Sequence, residues 1–221
     1  MSDPVADTFA WYSMHAEDFA TQTARADLRS FHDRFLRYVR PYGRILDAGC
    51  GVGRDTVAFA DRGYEVVAFD ASEELVSLAR GHVGPRATVH QMLFEDVAWK
   101  GEFDGIWACA SLLHVPLASF TGVVSRLAGA LRPDGAFYMS FKLGEGERVN
   151  GGRLFVDHTE ESLRCAVQTV PLALVETWLS EDVRPGRHGE RWLNAIAIAR
   201  PGGEGSERPR GMTTRSPHTR G

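Results

Sequence analysis

Cysteine is scarce in this chain: Cys50, Cys109 and Cys165 are the only three in 221 residues. They are too few and too widely spaced for a zinc cluster or a disulfide framework, and they read as small fillers kept reduced. No apolar run reaches the length of a membrane span. The amino terminus shows no basic-then-apolar leader, so the expected location is cytoplasmic, without a membrane partner. Histidine is never found at ligand spacing. His82, His90, His114, His158 and His188 stand singly, and His15 and His32 are expected on helix surfaces, so no metal is expected. Basic charge is not in excess either, the formal net charge being -4. The segment from Pro201 carries Arg208, Arg210, Arg215 and Arg220 against Glu204 and Glu207, so the body before it is more acidic than the whole. That balance argues against a broad nucleic-acid-binding surface and leaves room only for a local basic pocket.

What is present suits a soluble globular protein with one substantial core: 43% apolar and 24% charged residues. The stretch that organises it runs from Arg44 to Asp70. Ile45 and Leu46 end a short apolar run, and Gly49, Gly51 and Gly53 interrupt it on alternate positions. A helical pattern resumes at Thr56, and a second apolar run, Glu65 to Phe69, ends at Asp70. This predicts a strand, a tight turn, a helix and a parallel strand. Alternate glycines let a backbone bend sharply and let a ligand approach it closely. A carboxylate closing the neighbouring strand lies where a ribose would sit if a nucleoside occupied the loop. The dinucleotide fingerprint fails, because its third glycine would fall where Arg54 stands. Asp47 would repel a pyrophosphate but would attract the cationic α-amino group of an amino-acid-bearing nucleoside.

The remaining pattern predicts helix from Phe9 to about Tyr38, broken near Thr21 or Thr23, and helices at about 54–62, 72–80, 117–131 and 159–168. Strands are expected at 87–92, 103–109, 136–141, 172–178 and 191–199. Residues 142–158 read as a long glycine-rich loop of the kind that serves a site. The sum is an α/β doubly wound, seven-stranded, mostly parallel sheet with strand seven antiparallel and helices on both faces. Residues 1–40 would form a helical lid, 41–200 the main domain, and 201–221 a disordered tail.

The run Asp47-x-Gly49-x-Gly51-x-Gly53 resembles motif I of class I S-adenosylmethionine-dependent methyltransferases, over about residues 35–200. The resemblance implies S-adenosyl-L-methionine as cofactor. It implies contacts from Asp47, Gly49, Cys50, Gly51 and Arg54 in the loop and from Asp70 with Ala71 at the ribose. Leu93 and Phe94, followed by Glu95, fall where the family lines the adenine, and Cys109 with Ala110 where it lines the sulfonium. A looser likeness joins Tyr12, Ala16 and Phe19, Ser140 to Lys142, the Gly144–Arg148 loop and Trp178 to Asn194. It is to bacterial small-molecule methyltransferases of the tellurite-resistance and thiol-methylating type.

Methyl transfer is an in-line displacement in which the protein mainly aligns the reactants and excludes water. Trp11, Tyr12, Phe94 and Leu112 are candidates for an apolar lid and walls, and Tyr12 is also a candidate for a catalytic and acceptor-binding role. His114 follows the fourth strand directly, and two roles fit it, general base or acceptor placement. Lys142, Arg153, Arg184 and Arg187 are candidates for acceptor binding, with Arg148 nearby. If two or more converge, the acceptor carries a carboxylate or oxyanion. The expected protein is a methyltransferase for a small-molecule substrate, a monomer or homodimer, with no nucleic-acid partner. Three alternatives stand beside it: a non-catalytic cofactor- or partner-binding protein, a nucleic-acid or protein methyltransferase, and an NAD enzyme.

Overall fold

A computed structural model describes residues 3–184, 187 and 189–200. The expected tail at 201–221 and His188 lie outside them. In chain order the elements begin with α1 (Pro4–Met14), α2 (Ala16–Thr23), α3 (Arg29–Leu36), β1 (Arg44–Ala48), α4 (Arg54–Ala60) and β2 (Glu65–Asp70). Next come α5 (Glu73–Val83), β3 (Thr88–Gln91), β4 (Phe103–Ala108), α6 (Leu117–Ala130) and β5 (Leu131–Lys142). The chain continues through β6 (Gly146–Asn150), β7 (Arg153–Asp157), α7 (Glu160–Val167), β8 (Leu172–Glu181) and β9 (Arg191–Ala199). No helix among the described residues is long and apolar enough to cross a membrane.

Seven strands form one sheet in the order β3-β2-β1-β4-β5-β9-β8. β9 runs antiparallel to both its neighbours, and the other strands are mutually parallel. Strand side chains alternate between faces, which splits the core in two. Leu46, Ile106 and Phe137 pack with α6 and α7. Ile45, Trp107 and Tyr138 pack with Phe35 of α3 and Phe59 of α4. Helices therefore cover both faces, as the run of apolar strands requires.

Four expectations change. The amino-terminal helix is three helices, because the chain breaks after Met14 as well as after Thr23. The third is a core element, with Phe35 fully buried beside Trp107. The expected long loop at 142–158 is largely a two-stranded hairpin, β6–β7, pairing Asn150 with Arg153 across Gly151 and Gly152. Both glycines have positive φ, 57° and 77°, the turn that matches strand twist and that favours glycine. β5 begins at Leu131, before Arg132–Gly135, with an irregular register opposite Phe103 and Gly105. His32, expected on a helix surface, is buried at 3% exposure against Asp55.

Register fixes the functional edge. Ala48 lies opposite Phe69, Asp70 opposite Gln91, Asp47 opposite Trp107, and Trp107 opposite Tyr138. The carboxyl ends of β1 to β5 thus share one border of the sheet, where open α/β sheets present their ligand crevice.

Candidate active site

The glycine turn is held from below. The amides of Gly49 and Cys50 both donate to the Phe69 carbonyl at 2.9 Å. The Gly51 amide donates to Asp70 Oδ2 at 2.8 Å, and the Ser72 amide to Asp70 Oδ1 at 3.0 Å. Gly49, Gly51 and Gly53 have φ of 79°, 55° and 77°, conformations that disfavour any Cβ. At Gly49 a Cβ would also stand 2.4 Å from the Ser111 Cβ. The result is a bare, sharply bent backbone between two carboxylates.

Asp47 is buried at 2% exposure and accepts a hydrogen bond from the Thr56 hydroxyl at 2.6 Å. Burial, reinforced by the negative charge of Asp55, pushes its carboxyl well above the ordinary carboxylate range. Burial also raises Asp70, against the opposing pull of its amide donors. Asp55 goes the other way. Burial alone would raise it, but the Arg54 guanidinium and His32 hold it far below its ordinary value. Arg54 clasps it with Nε at 2.9 Å and Nη2 at 2.8 Å, His32 Nε2 lies at 3.1 Å, and Trp107 Nε1 donates at 2.9 Å. Arg54 therefore faces the loop with its charge already matched.

These groups open onto a cavity of about 280 Å³. Its loop side is lined by Asp47, Gly49, Cys50, Gly51, Arg54, Asp70 and Ala71, and then by Met92, Leu93, Phe94 and Glu95. Cys109 and Ala110 close the β4 end. Ala110 is left-handed at φ 53° and donates its amide to Ser140 Oγ at 2.9 Å. That backbone conformation is costly for a residue with a Cβ, and Ala110 lines the cavity. Burial pushes the Cys109 thiol up to about 12, so it stays protonated and serves as wall.

The far side of the same cavity carries Tyr12, His114, Lys142, Arg153, Arg184 and Arg187. His114 Nδ1 lies 2.6 Å from the Leu154 carbonyl, which can only accept, so that nitrogen carries the proton. Nε2, at 2.8 Å, then accepts from the Tyr12 hydroxyl. Burial lowers His114 to about 4 and raises Tyr12, so near neutrality both rings are uncharged. Arg153 Nη1 reaches the Tyr12 hydroxyl oxygen at 3.4 Å.

The basic side chains do converge, but their charges differ in availability. Lys142 pairs with Glu190, Arg184 with Asp182 at 2.5 Å, and Arg187 with Glu190 at 3.3 Å. Arg148 pairs with Asp157 at 2.6 Å and does not line the cavity. Arg153 has no carboxylate partner among the described residues. Two expected wall residues move elsewhere: Leu112 is fully buried in the core, and Trp11 stacks behind Arg153 at 3.9 Å without lining the cavity. Asp55 and the lining residues Thr8, Phe19, Leu75 and Ser140 were not expected at the site from sequence. Helical periodicity could have brought Phe19 and Leu75 to one side, whereas nothing local marks Asp55 or Thr8. Among the described residues no group of His, Cys, Asp and Glu could hold a metal.

A mostly parallel sheet with a glycine turn after β1 and a carboxylate ending β2 is the pattern of Rossmann-like, nucleoside-binding α/β proteins. Residues 45–135 match the family described as "Methyltransferase domain". Over that stretch the chain is similar to class I S-adenosylmethionine-dependent methyltransferases, several small-molecule families among them. The fold is similar to that of the Burkholderia thailandensis 1,6-didemethyltoxoflavin-N1-methyltransferase, with TM-score 0.75 and 23% identity over 91% of this chain and 92% of that one. It is also similar to a TehB-like methyltransferase of Corynebacterium glutamicum, with TM-score 0.66 and 21% identity over 85% and 99%. At these identities both are likenesses of fold. In sequence the chain is 33% identical over 135 residues to the magnesium-protoporphyrin O-methyltransferase of Rhodobacter capsulatus, 55% of this chain and 60% of that protein. It spans about half the length of the curated relatives it matches. None of these families stands out, so the expected special likeness to the tellurite-resistance type gives way to a broader relationship.

Proposed function

We propose that the protein transfers a methyl group from S-adenosylmethionine to a small acceptor. One observation carries the reading: a single unplugged cavity joins the two loop carboxylates to Tyr12, His114 and Arg153. A lid residue filling the acceptor end would have favoured a non-catalytic cofactor-binding protein. The donor set fits the cofactor. Asp70 would hold the ribose hydroxyls, Asp47 the α-amino group, and the bare Gly49–Gly51 backbone the methionine arm, with Arg54 and Ala71 beside them. Met92, Leu93 and Phe94 would flank the adenine, and Cys109 with Ala110 the sulfur. When bound, the cofactor supplies an electrophilic methyl group on a sulfonium. The chain's own contribution is alignment and the exclusion of water, with Tyr12 and His114 facing the acceptor.

Calorimetric titration of S-adenosylmethionine against NAD tests the cofactor half, with the sulfonium cofactor expected to bind and NAD not. Tighter NAD binding would reverse the assignment. Asp70→Ala is expected to weaken S-adenosylmethionine binding by about tenfold, the lower end for hydrogen bonds to a charged group. Unchanged affinity would remove Asp70 from the ribose. Formation of S-adenosylhomocysteine with a panel of thiols, phenols, carboxylates and oxyanions tests transfer itself.

A further inference from the structure

Of the five cations that line the cavity among the described residues, Arg54, Lys142, Arg184 and Arg187 each hold a carboxylate, and Arg153 has none there. Arg153 Nε is moreover buried and has no hydrogen-bond partner. A buried donor left unmade is costly, and a guanidinium without a counter-charge doubly so. Its flanks are ring faces: Trp11 at 3.9 Å, Phe155 at 5.1 Å and Tyr12 at 5.6 Å from the guanidinium carbon. Stacking of this kind fixes the plane of the fork and leaves its edge to take a ligand. Beside it, the His114 imidazole is not free to act as a base. The Nε2 lone pair of His114 receives the Tyr12 proton, and Nδ1 is spent on the Leu154 carbonyl.

We infer that the acceptor is a small conjugated acid, such as an acidic phenol, enol or heterocyclic N–H, which binds already ionised with its charge against Arg153. Tyr12 and His114 then position the acceptor and take no proton from it. In the transfer, a lone pair of the anion forms the new bond to the methyl carbon. The carbon–sulfur bond breaks with its pair kept on sulfur, giving a neutral thioether, and no proton changes hands. The inference rests on the methyltransferase reading and adds to it the state in which the acceptor arrives. Among the described residues the charged groups facing Tyr12 and His114 are Arg153 on β7, Asp70 at the end of β2 and Arg184 beyond β8, and of the two cations only Arg153 lacks a carboxylate partner there.

The test uses para-nitrophenol and umbelliferone, whose ionised and neutral forms absorb differently, titrated into the full chain with S-adenosylhomocysteine present. Binding of S-adenosylhomocysteine alone is measured first, and its absence would overturn the methyltransferase reading and this inference with it. With it bound, at least one probe is expected to bind as its anion at a pH below its free pKa. Arg153→Met is expected to weaken that anion by about ten- to hundredfold, and Arg153→Lys to restore part of it. S-adenosylhomocysteine affinity should be unchanged in both variants, which also reports that they fold. Binding of both probes only as neutral acids, binding of neither, or an anion indifferent to Arg153→Met would each overturn the inference and leave the cofactor reading standing. A loss confined to S-adenosylhomocysteine would assign Arg153 to the cofactor carboxylate and would overturn the inference in the same way.

Discussion

Asp55→Ala is expected to destabilise the protein by about 3–5 kcal/mol, the usual loss when one partner of a buried ion pair is removed. For a domain of this size that is a fall in Tm of about 10 °C. The reason is the number of groups the carboxylate satisfies at once. Arg54 clasps it with two nitrogens, His32 meets it from α3, and the buried Trp107 indole donates to it from the central strand. Alanine leaves the His32 and Trp107 ring nitrogens without a partner and Arg54 with the Thr23 carbonyl at 3.5 Å and no counter-charge, whereas the same change at Asp33, whose pair with Arg62 is largely exposed, should cost within about 1 kcal/mol. The pH dependence follows the depressed folded-state value of Asp55. Its contribution is complete above the unfolded carboxylate value of about 4 and is lost as pH falls below it. Thermal unfolding of Asp55→Ala, Asp33→Ala and the parent between neutral and acid pH checks both effects, and similar losses in the two variants would contradict them.

Asp47→Asn is expected to have the opposite effect on stability and a large one on binding. Burial and the nearby Asp55 raise Asp47, so ionising it in the folded protein is unfavourable. The stability linked to its protonated form is full below the unfolded value and declines as pH rises through the raised folded one. Asparagine keeps an acceptor for Thr56 and carries no charge, so the variant should melt higher than the parent in alkaline buffer. On the proposed reading, however, the carboxylate holds the cofactor's α-amino group. Its loss should weaken S-adenosylhomocysteine by about ten- to hundredfold. In the parent at neutral pH, binding should also expel the Asp47 proton, so the measured heat will depend on the ionisation enthalpy of the buffer. Calorimetry in two buffers reads the proton directly. No proton release, together with undiminished affinity in the asparagine variant, would remove Asp47 from the amino group.

Local pattern carried the proposed cofactor half into view. Asp47, the three glycines and Asp70 lie within one strand-turn-helix-strand unit, so their spacing alone places them at a common edge. They also fall inside the stretch that matches the methyltransferase domain. The proposed acceptor half was legible as a set of residues but not as an arrangement. Tyr12, Lys142, Arg153, Arg184 and Arg187 all lie outside that stretch and meet only through tertiary packing. Whether a cation is free depends on partners set by long-range register: Lys142 finds Glu190 because β9 runs antiparallel beside β5. The hairpin, by contrast, has a local signature. Asn150-Gly151-Gly152-Arg153 is a two-residue hairpin signal, but glycine-rich composition read as looseness hid it. His32 was not legible, since its amphipathic setting looks solvent-facing until Asp55, 23 residues on, arrives beneath it.

Leu154 joins three distant segments through its two backbone groups. Its amide takes the Thr8 hydroxyl as acceptor at 2.9 Å, while its carbonyl takes the His114 imidazole. One peptide position thereby ties the first helix, the exit of the central strand and the hairpin into a single unit. Transplanting the hairpin from a relative without its own first helix would strand that amide, and a chimera built so should lose activity even with every cofactor contact intact. Exchanged as a matched pair, the two segments could give the same scaffold a new substrate range.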